Sequence, residues 1–100
     1  MFKIIWTLTA ELTFAEEVDF IYTKWNSKQV NRFINLVENQ IKLLGSGLIN
    51  GKKSLKKNVF ILIISKQTSL AYQIDKENST IKLLTFWNNK IKPDRYKEFF

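Results

Sequence analysis

The chain has 100 residues, a net charge of +7, 14% aromatic residues, and neither cysteine nor histidine. That length and apolar content support one modest core and argue against disorder, so a single domain over residues 1–100 is expected. The missing residue types exclude a disulfide framework and the usual zinc ligands, and they remove the commonest general base. No apolar run is long enough to cross a bilayer, and Met1 to Trp6 lacks the long apolar region and small-residue cleavage site of a signal peptide. A reducing cytoplasm is the expected compartment, with no membrane partner.

Lys3 to Trp6 reads as a short strand and Thr7 as a helix N-cap. The first helix is expected from about Leu8 to Lys24. Its apolar stripe is Ala10, Phe14, Val18, Ile21 and Trp25, with Glu16, Glu17 and Asp19 off it. Glu16 and Asp19 fall one turn apart, but with no histidine and no second carboxylate cluster they read as a solvated face and not as a metal site. After the break at Asn26-Ser27, with Ser27 as N-cap, a second helix is expected from about Lys28 to Leu44. Val30, Ile34, Val37, Ile41 and Leu44 form its stripe, Phe33 widens it, and Gly45 supplies the C-terminal cap. So short a connection makes the two helices an antiparallel hairpin.

Residues 45–57 form a long loop that holds all three glycines, together with Lys52, Lys53, Lys56 and Lys57. Val59-Phe60-Ile61-Leu62-Ile63-Ile64 follows, an apolar and largely β-branched run that reads as a strand buried on both faces. Leu70 to Asp75 and Thr80 to Trp87 complete an antiparallel meander through short turns. Lys90 to Phe100 reads as one short helix, with Pro93 in its first turn. The fold class is therefore α+β, of order β-α-α-β-β-β: a helical hairpin on one face of a four-stranded, mainly antiparallel sheet. Down one helix and up the other, the first strand comes out antiparallel to Val59–Ile64. The first strand is expected beside that run, which makes the run internal and explains its unbroken apolarity; a place beside Thr80–Trp87 is the alternative.

Charge is segregated. Residues 1–50 carry five basic and five acidic side chains, whereas residues 51–100 carry eleven and four. A one-sided positive field calls for an anionic partner, either nucleic acid or an acidic protein segment. Lys52, Lys53, Lys56 and Lys57 on a glycine-flexible loop could contact successive phosphates; the plain alternative is a solvated loop. Lys90, Lys92, Arg95 and Tyr96 form a second basic group, set against the alternative of a tail helix packing Phe99 and Phe100 on the sheet. Trp6, Trp25 and Trp87 could stack bases, but at element ends beside apolar stripes they read as packing residues.

In this order the elements resemble the RelE/ParE superfamily of bacterial type II toxins. Ile5-Trp6-Thr7-Leu8-Thr9-Ala10-Glu11 is similar to that family's strand-to-helix entry, and Phe20-Ile21-Tyr22-Thr23-Lys24-Trp25 to the exit of its first helix. Ser65 to Ile74 is similar to its hairpin, and Leu83 to Lys90 to its last strand and exit. The resemblance covers nearly the whole chain. It implies growth inhibition, plasmid stabilisation, and silencing by an acidic antitoxin through which alone operator DNA is bound. RelE-like members cut messenger RNA on the ribosome without a metal; ParE-like members poison DNA gyrase. Neither uses a cofactor.

For RNA cleavage the resemblance implies cationic and proton-transfer residues drawn from Lys57, Lys90, Arg95 and Tyr96. A lysine serves as base only if its pKa falls from about 10.4 toward neutrality, which neighbouring ammonium groups favour. Phe60 stands where family members commonly carry an arginine, and a phenyl ring cannot hold a phosphate. This favours the gyrase-directed activity or a weakened toxin. A small nucleic-acid-binding module without toxicity is the rival from another class. No nucleophile–base pair or phosphate loop points to a hydrolase of small molecules.

Overall fold

A computed structural model describes residues 1–90. Its elements are β1 (Lys3–Trp6), α1 (Leu8–Lys24), α2 (Ser27–Ser46), β2 (Lys52–Lys53), β3 (Val59–Ile63), β4 (Thr68–Asp75) and β5 (Thr80–Asn88). The tail helix, and with it Lys92, Arg95 and Tyr96, lies outside the described residues. No described helix is long and apolar enough to cross a membrane.

Both helices begin as their sequences require. The Thr7 hydroxyl accepts from the Ala10 amide at 3.1 Å and donates to the Leu83 carbonyl at 2.7 Å, so one side chain caps α1 and ties it to β5. Asn26, not Ser27, caps α2. Its backbone is extended and its side chain accepts from Gln29 N at 3.0 Å, which leaves Ser27 inside the first turn. The C-terminal cap is Gly47, with φ +83°, a conformation that needs no Cβ. Gly45 is instead buried inside the helix. Its carbonyl accepts from Phe2 N at 2.8 Å, and the Ile4 side chain packs over its bare Cα. The glycine lets β1 approach the end of α2.

The sheet has five strands in the order β1-β5-β4-β3-β2, one more than expected. The extra strand is the lysine loop itself, since Lys52 and Lys53 pair antiparallel with Ile61 and Phe60. This alters the topology. The strand that follows the helical hairpin does run antiparallel to β1, but that strand is β2. The turn over residues 54–58 then reverses the chain again, so β3 runs in the same direction as β1. β1 lies beside β5, in parallel, with Lys3 opposite Thr80 and Trp6 opposite Leu83. The expected placement of β1 next to Val59–Ile64 is therefore wrong, and the alternative beside Thr80–Trp87 is the real one.

Both described helices cover the same face of the sheet. Phe33, Val37, Ile41 and Leu44 of α2 and Ala10 and Ile21 of α1 pack on Leu62, Leu70, Tyr72, Ile81, Leu83 and Phe86. On the opposite face Val59, Ala71 and Trp87 form a smaller cluster with Ile61 and Leu84. The apolar run of β3 thus serves two faces unequally, and Ile63 remains 60% exposed. A β-bulge between Ala71 and Tyr72 shifts the β4–β5 register. Just beyond it, where β1 has ended, the Phe86 amide donates to the Thr13 hydroxyl at 2.9 Å. A helix side chain thereby satisfies a strand-edge donor that would otherwise be buried without a partner.

Glu17 departs furthest from its expected place on a solvated face. It is 6% exposed and accepts from the Thr68 hydroxyl at 2.6 Å, which clamps α1 to the start of β4. Burial pushes its carboxyl above the ordinary glutamate range; the Thr68 hydrogen bond opposes that rise and Glu16 adds to it. Such a group keeps its proton in the folded chain at pH values where the unfolded chain has lost it. Its contribution to stability is complete at pH below the ordinary glutamate value and is lost as pH climbs through the raised value. Glu17→Gln retains an acceptor for Thr68 and carries no charge. Urea unfolding should therefore show the variant more stable than the parent at pH 8, with the difference shrinking toward pH 4.

Candidate functional site

The lysine ribbon is held firmly. A Cβ on Gly51 would fall 2.7 Å from the Ile61 carbonyl carbon and nearer still to its oxygen, so only glycine lets the chain run this close to β3. The Gly51 amide donates to the hydroxyl of buried Tyr72 at 2.6 Å. Burial pushes that phenol above the ordinary tyrosine range, against the opposing pull of the Gly51 hydrogen bond, so it stays protonated at neutral pH. The turn closes through Ser54 N to Val59 O at 2.9 Å and Lys56 N to Ser54 Oγ at 3.0 Å. Asn58 takes φ +63° at its end, and its carbonyl accepts from Ile74 N at 3.1 Å. Gly51→Ala should lever β2 off β3 at a cost of about 1–3 kcal/mol. Amide exchange should then quicken at Lys52 and Lys53 while β4 and β5 stay protected.

Lys52, Lys53, Lys56 and Lys57 are all exposed. Lys52 lies opposite Ile61 and so shares the face of the sheet away from the two described helices. There a groove of about 410 Å³ is lined by Lys52, Lys53, Ser54, Leu55, Ile61, Ile63, Ser69 and Asn89. Its floor is apolar and its rim cationic. Lys90 follows Asn89 directly and is exposed, its amide donating to Asn88 Oδ1 at 2.9 Å. The fold therefore brings the ribbon and the exit of β5 to one groove, although 36 residues separate Lys53 from Asn89 in the chain. Lys56 and Lys57 do not line the groove but sit in the turn before β3, Lys56 directly after the lining residue Leu55.

Lys53 also borders a second cleft, of about 680 Å³, with Asn58, Phe60, Asp75, Lys76 and Lys82. Phe60 stacks on Tyr72 with ring centroids 5.7 Å apart. Its ring thus continues the core outward at the position where a phosphate-binding arginine was expected. Sequence reasoning overlooked the two residues that set the ribbon in place, Gly51 and Tyr72. A glycine just before a lysine pair was the available signal for a close backbone approach.

The tryptophans divide. Trp6 packs in the core against Phe14 and Phe86, and Trp87 is buried on the opposite face. Trp25, expected to pack, is 60% exposed.

Neither a protein-family model nor a curated protein sequence matches the chain. Solved structures do. The chromosomal ParDE toxin–antitoxin system from P. aeruginosa is similar with a TM-score of 0.73 at 16% identity, over 88% of this chain and 96% of that one. The toxin–antitoxin complex RelBE2 from Mycobacterium tuberculosis gives 0.56 at 18% identity, over 88% and 98%. The isolated E. coli RelE toxin gives 0.54 at 16% identity, over 98% and 94%. A helical pair on one face of an open mixed sheet, with a cationic ribbon at its edge, is in this chain the fold of the ParE and RelE toxins.

Proposed function

We propose that this chain is the cytoplasmic toxin of a type II toxin–antitoxin system, a single domain that acts by binding DNA gyrase in the ParE manner. The observation that carries the choice of target is Phe60. It is packed on Tyr72 beside Lys53 and offers an aromatic surface where RNA cleavage needs a cation. The higher TM-score of the ParDE relative points the same way. Lys52 and Lys53, with Lys90 next to the groove, supply positive charge to a protein surface. The apolar floor of Ile61 and Ile63 gives that surface something to bury. An acidic antitoxin would cover this groove and reach operator DNA on the toxin's behalf.

The same lysines support the second reading, a metal-independent ribosomal endoribonuclease, with Lys57, Lys90, Arg95 and Tyr96 as its candidate catalytic groups. Induction without antitoxin separates the two. Growth arrest with gyrase-linked DNA breaks and lost supercoiling activity is the expected result. Transcripts cut at the ribosomal A site, with gyrase unaffected, would transfer the assignment to RNA cleavage. Normal growth, with salt-dependent binding to plain nucleic acid, would leave a non-toxic binding module or a decayed toxin.

A further inference from the structure

The cleft bordered by Phe60 lies toward the end of β4 that is away from Ser69 and the cationic groove. It follows from where β3 begins. The pairing of β3 with β4 stops at Val59 and Gln73, whereas β4 runs on to Asp75 before turning into β5. Asn58, with φ +63°, carries the chain away from the sheet at that point, and its carbonyl accepts from the Ile74 amide at 3.1 Å. The edge of β4 beyond it is left as a notch of about 680 Å³, within the usual size of small-molecule sites. One wall comes from β2 and the start of β3, the other from the β4–β5 turn.

Four kinds of group meet there. Phe60 is half-buried, and its stack on Tyr72, with 18° between the ring planes, fixes its orientation. Asn58 is exposed, and its carboxamide makes no hydrogen bond to any described residue. Lys53, Lys76 and Lys82 are exposed and supply three ammonium groups. Of the two carboxylates, Asp75 is engaged, accepting from the Asn78 amide at 3.2 Å and from the Asn78 side chain at 2.7 Å. Glu77 is exposed, and its side chain has no hydrogen bond or ion pair to a described residue.

Each group suits one part of a nucleotide. A fixed aromatic ring stacks a base. A carboxamide carries the donor and acceptor that a purine edge can match. A lone carboxylate accepts from ribose hydroxyls. Lysines hold phosphates as point charges, and three of them favour several phosphate charges over one. We propose that this cleft binds a free purine nucleoside polyphosphate, with the base on Phe60 and Asn58, the ribose hydroxyls on Glu77, and the phosphates among Lys53, Lys76 and Lys82. Such a site does not depend on the toxin reading, although Lys53 lines both this cleft and the cationic groove.

The test is calorimetry on the purified chain with ATP, GTP, tripolyphosphate and a single-stranded RNA as probes. ATP or GTP should bind about tenfold or more tightly than tripolyphosphate. Phe60→Leu should weaken the nucleotide about tenfold and leave tripolyphosphate unchanged. Glu77→Gln, at an exposed site where folding is not at stake, should narrow the same preference. Lys76→Ala should weaken both probes. Lys42→Ala, which removes the same charge from an exposed position of α2, should weaken neither. Amide exchange at residues 58–60 and 75–77 should slow when the nucleotide is added. Absence of nucleotide binding, tripolyphosphate binding as tightly as ATP and GTP, or equal losses from Lys42→Ala and Lys76→Ala would overturn the site. So would RNA binding that depends on Phe60 and Lys76 while neither nucleotide binds. Each of these failures leaves the toxin reading intact.

Discussion

Phe86→Ala is expected to remove a large part of the protein's stability. Phe86 is 1% exposed, with ring centroids 5.6 Å from Trp6 and 5.4 Å from Phe14. Phe14 in turn stacks on Phe33 at 5.8 Å, so one aromatic cluster joins β1, α1, α2 and β5. Truncating such a ring costs about 3–5 kcal/mol. A chain of this size has a total stability of roughly 5–15 kcal/mol, so the loss consumes a large part of the margin. The change should appear as a sharply lowered urea midpoint and a lowered melting temperature. Ile63→Ala removes three carbons, against six for Phe86→Ala, from the same sheet at a 60% exposed site. It should shift stability by no more than about 0.5 kcal/mol, the usual range for surface positions. Equal effects at the two positions would contradict the one-sided core.

The combined variant Lys52→Glu, Lys53→Glu, Lys56→Glu and Lys57→Glu is expected to fold normally and, on the proposed toxin reading, to lose both growth inhibition and affinity for an acidic partner. The four side chains are exposed, so folding does not depend on burying them. The change removes four positive charges and adds four negative ones, which reverses the sign of a net charge that starts at +7. Exposed ion pairs contribute about 0.2–1 kcal/mol each, and reversal also replaces attraction with repulsion. The dissociation constant for the acidic partner should therefore rise by roughly two to three orders of magnitude. Parental affinity should fall with added salt, and the variant's residual affinity should be nearly salt-independent. If the variant arrested growth as the parent does, the cationic groove would not be the working surface.

The difference between those experiments reflects what each part of the chain encodes locally. The apolar spacing of α2 from Phe33 through Leu44 needs no partner to be recognised, and that face is buried as its period requires. The period of α1 was harder to follow, because Glu17 is buried while Trp25 faces solvent. Neither outcome follows from helical spacing alone. Glu17 is tolerated inside because Thr68 donates to it from 51 residues away. Trp25 is exposed at the C-terminal cap of α1, one turn past Ile21, the last buried residue of that helix. In the site, the lysines and the odd placement of Phe60 were visible as residues. Their meeting with Asn89 at a common groove was not.

Sequence alone therefore determined the order of elements, the helical pair, the meander and the crowding of positive charge into the second half. Each of these depends on residue type or on neighbours a few positions apart. Tertiary structure decided which strand lies beside β1, that the lysine loop becomes a fifth strand, and which face of the sheet the two described helices cover. Those outcomes rest on bonds between distant residues, such as Thr7 to Leu83 across 76 positions and Gly51 to Tyr72 across 21. Where the chain closes on itself at such separations, the pairing is chosen by the packing of the whole core, and no local pattern carries it.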